Sequence, residues 1–207
     1  MTATDLLDLA SVFVFALSGA LVASRQQLDP VGFGFVACLT ALGGGTLRDL
    51  LLDRNPVFWI AEPHSILAAL LAAALVFLIA PRLESRYKAI RWLDAVALSS
   101  AVVAGVSAAH ETGQSPMIVT IMGMITGCFG GLMRDVVCND VPLVLRHGEF
   151  YVTAALAGSV TSALLALVIA DSTVYLLAGA AVTFALRGGS LLFGWKLPNY
   201  RHEPPKQ

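Results

Sequence analysis

Thr40-Ala41-Leu42-Gly43-Gly44-Gly45-Thr46-Leu47-Arg48-Asp49, running on to Pro56, places three glycines and an Arg-Asp pair inside an otherwise apolar segment. The pattern returns as Gly130-Gly131-Leu132-Met133-Arg134-Asp135, with Asn139 and Pro142 standing where the first copy has Asp53 and Pro56. Matched positions lie 86 residues apart, and the same offset joins Asp8 to Asp94, Gly19 to Gly105, Pro30 to Pro116 and Thr40 to Thr126. A period held over that length means two homologous halves, each with its charged, backbone-flexible segment in the same place. It predicts a functional site where the halves meet.

Composition fixes the surroundings. Apolar residues make up 57% of the 207 and charged ones 13%, against roughly 45–50% and about 25% in an ordinary soluble domain. The mean hydropathy of +0.77 agrees, and the chain reads as an all-α integral membrane protein. A net charge of -1 gives no reason to expect nucleic acid, and Gly-Gly-Gly-Thr lacks the Lys-Ser/Thr ending of a phosphate-binding loop. Cys38, Cys128 and Cys138 lie in apolar runs and read as reduced packing residues. His64, His110, His147 and His202 show no ligand spacing, so neither a metal nor a cofactor is expected.

Crossing the hydrocarbon takes about 20 apolar residues, and seven stretches qualify: 8–25, 31–52, 64–80, 93–110, 116–138, 150–170 and 173–194. No Lys or Arg precedes the first, so it lacks the basic region of a cleaved signal peptide and is expected to stay. Pro30 and Pro116 mark the starts of spans two and five. The polar segment 81–92 is the expected linker between a three-helix repeat over 8–80 and another over 93–170. Span seven, 173–194, and a tail, 195–207, complete the chain. Nine Lys and Arg fall in the odd-numbered loops and the C-terminus, whereas only Arg54 falls on the other side. The positive-inside rule then puts the C-terminus in the cytoplasm and the N-terminus outside. With three spans per half, the second repeat is inverted relative to the first.

Three consecutive glycines weaken a helix by about 1 kcal/mol each relative to alanine, so span two is expected to bend or break near Gly43–Gly45. Thr46 and Asp49 have the spacing of a capping box that would restart the helix. In span five, Gly123, Gly127 and Gly131 recur on one face, and both a break and tight helix packing fit. Arg48 and Arg134 are costly at membrane depth, about 2.5–3.5 kcal/mol on insertion scales. Adjacent residues on a helix point about 100° apart, so Arg48 is expected to find a partner other than Asp49. Snorkelling to a headgroup is the other reading of these arginines. Arg187, near the end of span seven, reads as an interface anchor.

Gly-Gly-Gly-Thr-Leu-Arg-Asp and Gly-Gly-Leu-Met-Arg-Asp, each followed by Pro seven residues after Asp, in a seven-span chain of this length, resemble the prokaryotic trimeric intracellular cation (TRIC) channels. The resemblance covers all seven spans. It implies a homotrimer in the prokaryotic plasma membrane, surrounded by membrane lipid, each subunit carrying its own pore permeable to potassium or another monovalent cation. Kinked second and fifth helices would flank that pore. Gly43, Gly44, Gly45, Gly130 and Gly131 would be its hinges, and Arg48, Asp49, Arg134 and Asp135 its charged groups. Phe129 replaces the third glycine of the second motif and is expected to stiffen the hinge and narrow the passage. Animal members bind phosphoinositide, but their longer lysine-rich tail is missing here. The residues leave open a secondary transporter of a small zwitterion such as glycine, with an arginine on its carboxylate and an aspartate on its amine. A membrane scaffold without transport is a third reading.

Overall fold

A computed structural model describes residues 3–82, 86–146 and 149–198, with side chains from Leu9 in the first helix and from Tyr87 in the fifth. Residues 83–85 of the linker, His147, and Arg201, His202 and Lys206 of the tail lie outside the described residues. All regular structure among the described residues is helical. It comprises α1 (Ala3–Arg25), α2 (Pro30–Leu51), a single turn α3 (Phe58–Ala61), α4 (His64–Ile79), α5 (Arg86–Glu111), α6 (Pro116–Val137), α7 (Val152–Leu165) and α8 (Ser172–Phe193), with short 3-10 turns at Ala80–Arg82 and Leu143–Leu145. Apart from α3, these are the seven predicted spans. The segment read as linker over 81–92 already carries the first turns of α5. Helix α7 has 14 residues, a rise of only about 21 Å, shorter than the hydrocarbon thickness and than the predicted span 150–170.

The halves end their helices alike. Helix α1 stops at Gln27, in the left-handed region at φ 54°, with Leu28 N–H bonding the Ala23 carbonyl; α5 stops at Gly113, φ 70°, with Gln114 N–H on the Ala109 carbonyl. Helix α2 closes on Asp53, φ 52°, with Arg54 N–H on the Asp49 carbonyl at 2.9 Å, and α6 on Asn139, φ 53°, with Asp140 N–H on the Asp135 carbonyl at 2.8 Å. Asp and Asn tolerate this conformation better than most side chains, and the 6→1 bonds satisfy carbonyls that would otherwise be orphaned in an apolar setting.

Helices α1, α2 and α4 form one bundle and α5, α6 and α7 the other, with α8 packed on α5 and α7. At the centre α1, α2, α6 and α5 form a ring in which each touches its two neighbours closely, while α1 and α6, like α2 and α5, face each other across a diagonal. Small buried residues make this possible: Ala16, Gly19 and Ala20 on α1 and Ala97, Ala101 and Gly105 on α5 let backbones approach. Large apolar side chains such as Phe35, Leu67, Leu71 and Leu78 point outward, as a lipid-facing surface requires.

Both glycine-rich helices run unbroken, α2 through Gly43–Gly45 and α6 through Gly130–Gly131. The expected mid-helix break is absent. Thr46 does not cap a restarted helix but sits inside α2, donating its hydroxyl to the Leu42 carbonyl at 2.7 Å. The glycines contribute missing side chains here, and their freedom in φ is unused.

Candidate functional site

Each glycine of the first motif faces a different neighbour. A Cβ on Gly44 would overlap the Thr126 carbonyl oxygen of α6, and one on Gly130 would overlap the Thr40 carbonyl oxygen of α2. The contact is its own mirror: residue 40 lies against 130 and 44 against 126, so α2 and α6 cross antiparallel about a local two-fold axis. Thr40 and Thr126 each donate a hydroxyl to the carbonyl four residues back, Val36 and Met122, at 2.6 Å. That leaves their own carbonyls to the opposing glycines. Gly43 makes room for the Met133 sulfur, Gly45 for the Phe58 ring, and Gly131 for the Tyr151 hydroxyl beside Asp94.

One turn further along each helix lies a buried ion pair. Arg48 donates Nε–H to Asp49 Oδ1 at 2.8 Å, and Arg134 does the same to Asp135 Oδ1 at 2.8 Å. The expectation that Arg48 would pass over its own neighbour is therefore wrong, because the guanidinium on three methylenes curls back far enough to undo the divergence of adjacent Cβ directions. Arg48 is 0% exposed and Arg134 1%, so neither snorkels. The second carboxylate oxygen of each aspartate accepts a backbone N–H from the segment that follows its helix. Phe58 N–H binds Asp49 Oδ2 at 2.8 Å and Leu143 N–H binds Asp135 Oδ2 at 2.9 Å. Each Arg-Asp pair thereby latches a loop over one end of the ring.

Around these latches the halves differ. Arg134 Nη1 also donates to Ser18 Oγ across the diagonal at 2.6 Å and to Asp94 Oδ1 at 3.1 Å. Arg48 lies against the Phe58 ring, 5.4 Å from its centroid, and Thr46 accepts the Trp59 indole N–H at 2.9 Å. Arg187 is not an interface anchor: it is 0% exposed, donates to Glu149 Oε2 at 2.7 Å and stands over the Tyr151 ring. A helix packed against the bundle on several sides buries even a residue near its end.

One small cavity lies inside the ring and another where the ends of α1, α5 and α6 meet. One, about 10 Å³, is lined by Ser11, Thr40, Gly44, Gly45, Phe58 and Thr126; the other, also about 10 Å³, by Arg25, Tyr87, Arg91, Arg134, Asp140 and Leu143. Each has room for about one water and is too small for a hydrated ion. Phe129 does not narrow the axis. It faces a separate apolar groove of about 390 Å³ between α2 and α6, with Cys38, Leu39, Leu42 and Met133.

The structure brings Gly43, Gly44 and Gly130 to the crossing, turns Gly45 towards Phe58 and Gly131 towards Tyr151, and sets Arg48, Asp49, Arg134 and Asp135 on the flanks. Sequence reading missed Asp94 as the second carboxylate on Arg134, although its match to Asp8 at the repeat offset was the available signal; the Asp8 side chain lies outside the described residues. It also missed Ser18, whose partner position is Ala104, so no periodic signal existed.

A family model described as "Glycine transporter" matches the chain twice, over residues 5–81 and 91–167. The chain is 37% identical over 200 residues to a UPF0126 membrane protein of Vibrio cholerae, covering 94% of this chain and 82% of that one. It is 35% identical over 198 residues to the UPF0126 inner membrane protein YadS of Escherichia coli, covering 94% of each. It superposes on the TRIC trimeric intracellular cation channel orthologue from Rhodobacter sphaeroides with a TM-score of 0.90 and 43% identity, covering 94% of this chain and all of that one. The chain belongs to the prokaryotic TRIC family. A TRIC channel from C. elegans, at 18% identity and a TM-score of 0.61, shares the fold alone. Like its solved TRIC relatives, the chain is a membrane protein and not an enzyme.

Proposed function

We propose that this TRIC protein conducts monovalent cations, potassium among them, along the axis of the α1–α2–α6–α5 ring, one path per subunit of a homotrimer in the bacterial inner membrane. The observation that carries this reading is the placement of the polar groups. Ser11, Thr40 and Thr126 line a cavity inside the ring, Arg134 and Asp135 line another where α1, α5 and α6 meet, and Arg48 and Asp49 are buried one turn from the crossing, whereas the outer surface is apolar. The named functions of the solved relatives support it. In the closed arrangement Arg48 and Arg134 repel an entering cation. At an effective dielectric near 20 and about 6 Å, that repulsion is roughly 3 kcal/mol, reduced by any water in the path. Asp49 and Asp135 offset it, and opening frees the loop segments that these aspartates latch. The ends part as α2 and α6 flex on either side of the Gly44–Gly130 crossing, where backbone contact holds their spacing. The C-terminus is cytoplasmic, on the charge asymmetry of the loops.

The description of the matching family model favours a second reading, a glycine carrier. Recording purified protein in planar bilayers with potassium as the permeant cation decides between them. Unitary current steps establish the channel. Saturable glycine uptake into vesicles without such steps establishes the carrier.

A further inference from the structure

At the ends of the ring the repeat keeps its geometry and reverses its charges. Arg25, the last residue of α1, corresponds at the 86-residue offset to Glu111, the last residue of α5. Arg54, just beyond α2, corresponds to Asp140, just beyond α6. Arg25 pairs with Asp140 at 3.6 Å, and Glu111 pairs with Arg54 at 3.8 Å. Each pair joins one helix to the loop beyond the helix facing it across the diagonal, α1 to α6 at one end and α5 to α2 at the other. Diagonal helices barely touch along their length, so a tie between them spans the axis itself. Drift after duplication does not readily produce two simultaneous reversals that preserve both attractions.

We infer that Arg25–Asp140 and Arg54–Glu111 are two end ties of opposite polarity that hold the path shut and part when it opens, an inference that rests on the cation-path reading. Their strength suits that role. With side chains 26% to 46% exposed, each pair is worth at most about 1 kcal/mol, small enough for thermal opening. That corresponds to a change of up to about fivefold in the ratio of open to closed states. The tie at the α1–α6 end is backed by others: Arg146 also holds Asp140 at 3.1 Å, and Gln26 Nε2 donates to the Cys138 carbonyl at 3.0 Å. Breaking Arg54–Glu111 is therefore the more sensitive experiment.

The test compares Arg54→Gln, Glu111→Gln, their double variant and the exchange Arg54→Glu with Glu111→Arg in planar bilayers. Arg54 also lies 3.7 Å from Asp49, so each single variant should raise the open-to-closed ratio two- to fivefold, the double variant should do no more than Arg54→Gln alone, and the exchange should return the ratio towards the wild-type value. Independent effects that multiply in the double variant, or an unchanged ratio in all of them, overturn the ties while leaving the channel reading intact. A wild-type protein without unitary currents overturns the channel reading itself. A second readout needs no current. In a Cys38→Ser, Cys128→Ser background, Arg25→Gln, which leaves the Asp140 charge beside Cys138 in place, should speed reaction of Cys138 with a water-soluble thiol reagent, and an unchanged rate counts against the tie at that end.

Discussion

The two ends of the ring descend from one sequence and are closed in different ways. Where α1 and α6 finish, the diagonal is bridged at three depths, by Arg134 on Ser18, by Gln26 on the Cys138 carbonyl and by Arg25 on Asp140. Where α2 and α5 finish, closure relies on an aromatic lid, with Phe58 under Arg48 and Trp59 bonded to Thr46, together with the Arg54–Glu111 pair. A duplicated scaffold thus preserves the geometry of its backbone turns and buried Arg-Asp pairs, while side chains across the diagonal have diverged. Polar ties hold one end; packing holds much of the other.

The strongest way to break this contrast is Arg134→Gln. Removing one partner of a buried ion pair costs about 3–5 kcal/mol, and here it strands both Asp135 and Asp94. Thermal unfolding in detergent should show that loss, with partial recovery in Arg134→Gln/Asp94→Asn. In the protein that folds, potassium conductance should rise as the positive charge is removed. A stable Arg134→Gln with unchanged conductance would show that the α1–α6 end does not depend on this charge.

Gly44→Ala and Gly130→Ala probe what the ends share. Both added methyls meet a carbonyl oxygen, and overpacking of this kind costs about 1–3 kcal/mol. The two losses should be equal within error by thermal melting and monodisperse yield. A large difference would mean that the crossing is not two-fold in energy, whatever its geometry. Ser18→Ala should cost about 1 kcal/mol, since Arg134 keeps its carboxylates, and its effect should vanish in an Arg134→Gln background. Of the same size is Thr46→Val, expected to cost about 0.5–1.5 kcal/mol through the lost indole bond. A shift in Trp59 emission would report it, and Leu132 at the corresponding position of α6 has no hydroxyl to lose.

Much of this architecture was legible in the chain. The offset from Gly44 to Gly130 and the apolar spans gave seven helices in two inverted halves, because periodicity and hydropathy are properties of sequence alone. Each misreading has its own physical cause. Gly43–Gly45 looked like a break because intrinsic propensity was weighed without the neighbouring helix, whose carbonyl, sulfur and aromatic ring occupy the space the glycines leave. Arg48 looked unable to reach Asp49 because Cβ directions were used for a side chain long enough to turn back. Arg187 looked like an anchor because its place near a helix end says nothing of how α8 packs. Ser18 was invisible, since a lone serine on an apolar helix carries no pattern, whereas Asp94 was marked by its match to Asp8 and lacked only a role.

The crossing of α2 and α6 has a mechanical consequence. Where backbone meets backbone with no side chain between, no rotamer can change to let the helices separate or slide, so the spacing at Gly44 and Gly130 is the stiffest dimension of the ring. A rigid tilt of one half against the other then turns about that point as a lever turns about its fulcrum. Displacement is least at the crossing and grows towards both ends, and a tilt that widens one mouth narrows the opposite one. Widening both together requires the helices themselves to flex on either side of the fulcrum.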